Sequence, residues 1–435
     1  MSEFAQTLRN ELDAVHVVDP HSHLRPNKPE ADNLADIVLY HHVWIELVSA
    51  GMPITAVTKA GMPQEVANPE MEPQDRLRAA LPYLDLISNT TCGNMLRVIL
   101  RDLYEVPDGQ LTASNLNQVI AYVEERNCLP KWEDELLGEK CRIIRSLTVE
   151  YDEHGKCSPF VGKGIEGVPV TLQDPRRTPR EMLSWVEYQL GREIKCAEDY
   201  AEGLRKMGGE RSKSDIHFVG IWTLPHLQFV DATERDVTRA VVNIRDGRPA
   251  DNEDFSAIWS FGIRNFLEAM REGPLRTIQL IVGAEVLPPH RSITNWHGNF
   301  VGTLGRLAGA FEDFHFSCSS ACDAHIQDLA IAAKHIPNVS VAGYWWHVLY
   351  PYYIRKSVET RLDIVPANKI VAFFSDAYRA EWIYPKLKLV KRVWAEVLLD
   401  RVERDLITRD TALKLVRAVF HDNACAIYGV KSTWD

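Results

Sequence analysis

The sequence lacks the features that mark membrane-spanning, secreted and nucleic-acid-binding proteins. No apolar run approaches the length of a membrane span, and the polar, amphipathic first thirteen residues do not resemble a signal peptide. The eight cysteines are scattered without a C-x-x-C pair, which is typical of free thiols in a reducing compartment. Because 60 acidic residues outweigh 49 basic ones, neither nucleic acid nor an anionic membrane is an expected partner. We therefore expect a cytoplasmic protein.

The chain also lacks repeats, low-complexity stretches and flexible Gly/Ser linkers. At 435 residues and 46% hydrophobic content it can bury a large core, either as two domains or as one barrel with insertions. Its densest basic cluster comprises Lys386, Lys388, Lys391 and Arg392. We predict that this cluster is the solvated face of a helix. A glycine-rich stretch, Gly162-x-Gly164-x-x-Gly167, matches a dinucleotide-binding fingerprint by letter, but no helical pattern follows it, so we predict a turn.

A short apolar run followed by a helical pattern recurs along the chain and predicts a (β/α)8 TIM barrel. Several of the runs are continuous rather than alternating, as expected for parallel strands that are covered on both faces. The predicted strands cover residues 15–19, 143–149, 168–172, 216–222, 277–282, 314–318, 339–343 and 370–374. The predicted helices cover residues 179–189, 197–207, 255–271, 300–310, 325–335 and 387–404.

More than a hundred residues with helical periodicity and many prolines separate the first two predicted strands. We interpret residues 29–139 as a helical insertion after strand 1 that caps the barrel, which residues 1–28 and 140–435 would form. A separate helical domain is the alternative. A polar segment at 231–254 is predicted to be a loop between strands 4 and 5.

The most informative residues lie at the ends of the first and last predicted strands. Asp19, His21 and His23 are spaced two apart, so in an extended chain they point to one face. Asp376 ends the last strand, which lies beside the first in a closed barrel. Two imidazoles and one carboxylate can hold a divalent cation and leave positions open, with zinc the best match and manganese or iron as alternatives. The plainer alternative is that Asp376 caps the helix that follows.

The His-x-His pair together with Asp376 resembles the metal centre of the amidohydrolase superfamily. Within it, the chain is similar to the uronate (glucuronate) isomerase family over most of its length. Four segments resemble that family's motifs in the same order: Lys-Ser-Asp-Ile-His at 213–217, Gln-Leu-Ile-Val-Gly-Ala at 279–284, Ala-Gly-Tyr-Trp-Trp at 342–346 and Phe-His-Asp-Asn-Ala at 420–424. The large insertion after strand 1 is also a trait of the family.

Several positions depart from the family pattern. The strand-5 histidine is replaced by Ile281, the arginine that follows it by Val286, and the arginine after strand 8 comes one residue late, as Arg379. The Asp-His-Tyr of the family's insertion aligns with residues 41–43, His-His-Val, which lack the tyrosine hydroxyl. A uronate carboxylate favours a bidentate arginine, so the changed arginine positions affect which substrate the site can bind. The metal ligands are unchanged.

The resemblance implies a set of site residues. The metal ligands are His21, His23 and Asp376. Asp376 or His42 acts as the base and Arg379 meets substrate oxyanions. Substrate contacts come from Arg25, Asp174, Arg176, His217, Trp345 and Trp346. Several of these have ordinary alternatives. Arg25 and Arg379 could be surface ion-pair partners, while His217, like His315, could be a core histidine.

The two tryptophans could stack on a sugar ring or plug the barrel mouth. One cation is expected, because strand 4 ends without the bridging lysine or glutamate of binuclear members.

The implied function is a metal-dependent aldose–ketose isomerisation of a sugar acid of the glucuronate or galacturonate type, with a small-molecule substrate and a possible homo-oligomeric state. The replaced arginines leave room for an alternative reaction, hydrolysis of an amide, ester or lactone by a metal-bound water. A third possibility is a barrel that has lost activity and binds no stoichiometric metal.

Overall fold

The computed structural model describes residues 3–57, 70–150, 157–173, 177–224, 226–283 and 300–432. Within these ranges the chain alternates strands and helices in an α/β fold. All strand pairs are parallel and form one sheet in the order β1-β2-β3 and a second in the order β4-β5-β6-β7-β8. The strands are β1 (Val17–Ser22), β2 (Ile143–Thr148), β3 (Val161–Lys163), β4 (Val219–Thr223), β5 (Thr277–Val282), β6 (His315–Ser320), β7 (Val339–Ala342) and β8 (Ile370–Val371).

Helices follow most strands and fill the long segment between β1 and β2. They are α1 (Glu3–Ala14), α2 (Leu34–Val38), α3 (His41–Ser49), α4 (Pro73–Leu84), α5 (Thr91–Tyr104), α6 (Leu116–Asn127), α7 (Pro179–Leu190), α8 (Ala197–Ser212), α9 (Glu234–Arg245), α10 (Asn252–Met270), α11 (Phe300–Ala310), α12 (His325–His335), α13 (Pro351–Ile364), α14 (Ile383–Glu403), α15 (Arg409–Arg417) and α16 (Asn423–Tyr428). No helix in the described ranges is both long and apolar enough to cross a bilayer.

The two sheets adjoin through backbone hydrogen bonds at both pairs of edges. Between β3 and β4, the His217 N–H donates to Lys163 O at 2.8 Å. Between β8 and β1, the Asp376 N–H donates to His21 O at 3.0 Å, and the His23 N–H donates to Ala377 O at 2.9 Å. The ends of the last and first strands therefore lie side by side.

A buried carboxylate reinforces the contact between β8 and β1. Asp19 accepts hydrogen bonds from the Ser375 N–H at 2.8 Å, from Ser375 Oγ at 2.6 Å and from Ser146 Oγ at 2.7 Å. Its side chain is thus committed to joining three chain segments, rather than projecting with the two histidines as its spacing suggested.

All predicted strands except the third overlap observed ones. The prediction of strand 3 at 168–172 was wrong, because β3 runs through the glycine-rich stretch that we predicted to be a turn. The glycines serve close packing there. A Cβ on Gly162 would lie 2.5 Å from Leu147 Cδ2, and one on Gly164 would lie 2.3 Å from Phe218 Cε1. Glycine inside a strand often marks such a close approach.

The polar segment at 231–254 was wrongly predicted to be a loop. It holds α9 and the start of α10. The Thr233 side chain accepts a hydrogen bond from the Asp236 N–H and caps α9. One face of α9 is buried through Val237, Ala240, Val241 and Ile244. This spacing is that of an amphipathic helix, which the charged residues between them obscured.

The basic cluster is only partly a solvated face. The prediction was wrong for Lys386, whose exposed fraction is 1%. The side chain of Arg392 is exposed, and Lys388 forms an ion pair with Asp102 at the surface.

The insertion is anchored to the segment after β8 by the buried carboxylate of Glu381. This side chain accepts hydrogen bonds from the Ala31 N–H at 3.0 Å, Tyr104 Oη at 3.1 Å and Asn127 Nδ2 at 3.3 Å. Trp132 Nε1 lies 3.4 Å from the same carboxylate. Because the carboxylate is fully buried, these donors are needed to offset its loss of hydration.

We expect Gly164→Ala to lower the free energy of unfolding by about 2 kcal/mol, because the added Cβ overpacks the core against Phe218. Gly309→Ala is the matched control. A Cβ at Gly309 meets nothing within 4 Å. The higher helix propensity of alanine should therefore stabilise α11 by up to about 1 kcal/mol. Urea unfolding of the two variants measures both effects. Equal midpoints for the two would contradict the role of Gly164.

Candidate metal centre

Three side chains converge where the ends of β1 and β8 meet. His21 Nε2 and His23 Nε2 each lie 3.5 Å from Asp376 Oδ1. In a tetrahedral centre with bonds of about 2.1 Å, neighbouring ligand atoms are about 3.4 Å apart. His21 and Asp376 are buried and His23 is largely so. The spacing and burial of these atoms therefore fit a divalent cation.

Hydrogen bonds fix the orientation and tautomer of both imidazoles. Gln279 Nε2 donates to Pro20 O and to Tyr428 Oη, which leaves its Oε1 to accept from His21 Nδ1 at 2.7 Å. Glu150 Oε1 accepts from His23 Nδ1 at 2.9 Å. Each Nδ1 therefore donates, and each Nε2 lies on the side of Asp376, where it can bind a metal once it carries no proton.

The backbone of Asp376 is in the left-handed region, with φ of 50°. For a residue other than glycine this costs about 1–2 kcal/mol, so surrounding contacts must hold it. Its carbonyl oxygen accepts from Tyr40 Oη at 2.9 Å, while Lys386 Nζ donates to Tyr40 Oη at 3.0 Å and to Ser375 O at 2.7 Å. Buried Lys386 thus holds the residue in this conformation, and burial lowers the pKa of Lys386 to about 8.

The carboxylate of Asp376 does not act as a helix cap. After it, the described chain has a short 3₁₀ turn at Ala380–Trp382 and then α14, and neither has a side-chain cap. The alternative role that the sequence left open for Asp376 is therefore not observed.

His41 and His42, at the start of α3, form a second group with Asp376, in which one candidate ligand atom from each residue lies within 4.8 Å of the others. Burial lowers the pKa of His41 to about 3 and that of His42 well below its usual value, so both rings are neutral at pH 7. Among the described residues, His42 Nε2 is buried without a hydrogen-bond partner. His42 lines a small cavity together with Trp346 and Lys386.

His23 and Asp376 each shift the pKa of the other. Burial alone would lower the pKa of His23, but hydrogen bonds to Asp376 and Glu150 outweigh it and raise the pKa to about 10. Burial would raise the pKa of Asp376, but its contacts with His21 and His23 hold it well below the usual value. In the metal-free protein His23 is therefore an imidazolium paired with a carboxylate.

The predicted substrate residues are not all brought to this site. Arg25 directs its donors to Asp32 Oδ2, Lys28 O and Glu30 O at 2.5–2.9 Å. Arg379 Nε lies 3.5 Å from Asp36 Oδ2.

His217 precedes β4, at the opposite end of the strands from the metal ligands, and its Nδ1 donates to Tyr428 O at 2.8 Å. His315, at the start of β6, is likewise occupied, with Nε2 2.8 Å from Ser340 Oγ. Asp174 and Arg176 lie outside the described residues, as does Val286.

The two tryptophans are both buried after β7, with ring centroids 6.1 Å apart. Trp346 has φ of 43°, and its ring centroid lies 5.7 Å from that of His42. Of the pair, Trp346 is thus the one beside the His41–His42 group.

Sequence reasoning missed the residues that support the ligands. Tyr378 stacks on His23 with ring centroids 4.3 Å apart, and Glu150 fixes the tautomer of the same ring. Gln279 was noted only as part of a motif, although a lone amide in a continuous apolar strand signals a buried hydrogen-bonding role. No sequence pattern indicates the roles of Tyr40 and Lys386, because they depend on contacts between Tyr40 and two residues more than 300 positions away, Asp376 and Lys386.

Comparisons with known proteins extend over nearly the whole chain but at low identity. No protein-family model and no curated protein matches the sequence. Among solved structures, a uronate isomerase from Thermotoga maritima superimposes with a TM-score of 0.82 at 15% identity, covering 98% of each chain. A glucuronate isomerase from Caulobacter crescentus gives 0.80 at 15% identity, covering 99% of this chain and 95% of its own.

A uronate isomerase from Bacillus halodurans gives 0.76 at 13% identity, covering 99% of this chain and 98% of its own. At such low identity these likenesses establish a shared fold.

Metal binding should release protons, because the cation must displace the proton that His23 holds up to a pKa of about 10. The apparent affinity for Zn²⁺ should therefore rise about tenfold per pH unit between pH 6 and 8. Calorimetric titration in two buffers of different ionisation enthalpy gives the number of protons released. A binding enthalpy and affinity independent of buffer and pH would show that His23 is not a ligand.

Proposed function

We propose that this protein is a metal-dependent isomerase that interconverts the aldose and ketose forms of a sugar acid of the glucuronate or galacturonate type. The observation that carries the proposal is the convergence of His21, His23 and Asp376 at the ends of β1 and β8. It gains support from the fold that the chain shares with uronate isomerases over nearly its full length. A small-molecule substrate follows from the same comparison.

We further propose that the eight strands form a (β/α)8 TIM barrel that the insertion at 29–139 caps. Support comes from the parallel order of all strands and from hydrogen bonds between the two sheets at both edges. In such a barrel the active site lies at the carboxyl ends of the strands, where His23 and Asp376 are found. The eight free cysteines agree with a cytoplasmic location.

One divalent cation, with zinc the preferred candidate, would be held by His21, His23 and Asp376. Bound there, it would polarise the carbonyl oxygen of the open-chain sugar and offset the negative charge that develops during isomerisation. The fixed tautomers of the two histidines and the matching 3.5 Å separations support this donor set.

Isomerisation moves a proton between two adjacent carbons, so a base must accept it from one carbon and return it to the other. Asp376 and His42 are the candidates. We favour His42, because it is neutral, its Nε2 has no partner among the described residues, and it lies beside Asp376. Asp376 is then left to hold the cation.

The substrate carboxylate needs a cationic partner. Arg379 is the proposed partner, since its 3.5 Å contact with Asp36 is long enough to be exchanged for a ligand. Arg25 is held by three short contacts, so we assign it to shaping the rim. Trp346, beside His42, is proposed to pack against the sugar ring.

The test incubates the zinc-loaded protein with a panel of uronates and follows loss of the aldehyde and formation of the ketose by NMR. We expect turnover on at least one uronate. Chelation of the metal should abolish it, and in D₂O the product should carry deuterium at the carbon that receives the proton. A parallel panel of lactones and esters tests the hydrolase alternative, which would acidify the medium.

His42→Gln should lower kcat by about 10²–10⁴-fold while leaving metal content unchanged, because general-base catalysis contributes on that scale. The matched control is His315→Gln, which changes another neutral buried histidine at the opposite end of the strands. Metal-loaded protein that converts none of the uronates would overturn the proposed activity.

A further inference from the structure

Glu166 lies next to the two histidines of the candidate centre and belongs to none of the family motifs named above. One ligand atom each from His21, His23 and Glu166 lies within 4.8 Å of the others. This places a second carboxylate, besides Asp376, next to the same pair of imidazoles.

The backbone that carries Glu166 is fixed between β3 and β4. Ile165 forms a parallel bridge with Val219. The Ile165 N–H donates to Phe218 O at 3.2 Å, and the Gly220 N–H donates to Ile165 O at 2.6 Å. The position of Glu166 is therefore set by the sheet rather than by a free loop.

The stem of Glu166 packs against Gly220 of β4. A Cβ on Gly220 would lie 3.4 Å from Glu166 Cγ, 3.5 Å from Glu166 Cβ and 3.3 Å from Ile165 O. Glycine in a buried strand gives up packing and backbone entropy, and a close approach by another group is the usual reason for it. At Gly220 the tightest approach is that of Ile165 O, and the stem of Glu166 lies over the glycine at ordinary van der Waals distance.

Within the described part of the chain, no lysine or arginine lies in ion-pairing distance of Glu166, and its neighbours on the side of the candidate centre are His21 and His23. A half-buried carboxylate is stabilised by a cation or by hydrogen-bond donors. A divalent ion bound between the three side chains would supply such a cation.

We propose that Glu166 is a fourth protein ligand of the cation, giving a centre of two imidazoles and two carboxylates. This inference rests on the metal centre proposed above. Three atoms within 4.8 Å of one another can each lie about 2.8 Å or less from a common point, so a shift of roughly 0.7 Å brings them to bonding distance. Two carboxylates balance the charge of a divalent ion, and they also raise the affinity for oxygen-preferring ions such as Mn²⁺.

The test compares two full-length variants. Glu166→Ala removes the proposed ligand, whereas Glu150→Ala removes an equal charge that is hydrogen-bonded to His23 Nδ1 and does not reach the ion. Metal affinity is measured by chelator competition with Zn²⁺ and Mn²⁺, and the ligand count by X-ray absorption. For Glu166→Ala we expect about 100-fold weaker binding, with a larger loss for Mn²⁺ than for Zn²⁺, and one fewer protein oxygen ligand. Glu150→Ala should keep the ligand count of the wild type, and acetate should partly restore affinity only in Glu166→Ala.

Thermal unfolding of the metal-free variants checks their folding, and Glu166→Gln serves if the alanine variant does not fold. A wild-type affinity and ligand count in both Glu166 variants would overturn the role of Glu166 while leaving the centre standing, provided that His21→Ala loses the metal. Absence of stoichiometric metal from the wild type loaded with either ion would overturn the centre and this ligand together.

Discussion

The site depends on one contact, the meeting of the chain ends of β8 and β1. There the Asp376 N–H donates to His21 O, and buried Asp19 accepts three hydrogen bonds from Ser375 and Ser146. The bonds from Asp376 and Ser375 join residues more than 350 positions apart in the sequence. Without them, the carboxylate and the two imidazoles would have no fixed separation, and neither a cation nor a substrate could be held in a defined geometry.

Around this contact, each ligand is oriented by a different part of the fold. Gln279 from β5 holds His21, Glu150 after β2 holds His23, and Tyr40 and Lys386 hold the carbonyl of Asp376. The buried lysine is costly, since its charge is removed from water. Its position shows that the left-handed backbone at Asp376 is maintained by surrounding structure, as is common where a side chain must point into a site.

The sequence allowed the main architectural features and the meeting of His21, His23 and Asp376 to be predicted, because apolar runs and strand-end residues follow local rules. His21, His23 and Asp376 were found from their positions after strands. What failed had non-local causes. Gly162 and Gly164 are explained by Leu147 and Phe218, which pack against them from other strands or their flanks. The burial of Lys386 depends on Tyr40, 346 positions away. Glu166 escaped notice because strand 3 was predicted at 168–172, after this residue, whereas β3 precedes it.

Tyr428 has a consequence for how the protein matures. Its hydroxyl accepts from Gln279 and donates to Ser317, so the side chain that orients His21 is itself held by the final helix, α16. The ligands span the chain from the first strand to the last, and their support reaches almost to the last described residue. A nascent chain on the ribosome therefore cannot assemble this arrangement of side chains until α16 has emerged, long after β1 has been made.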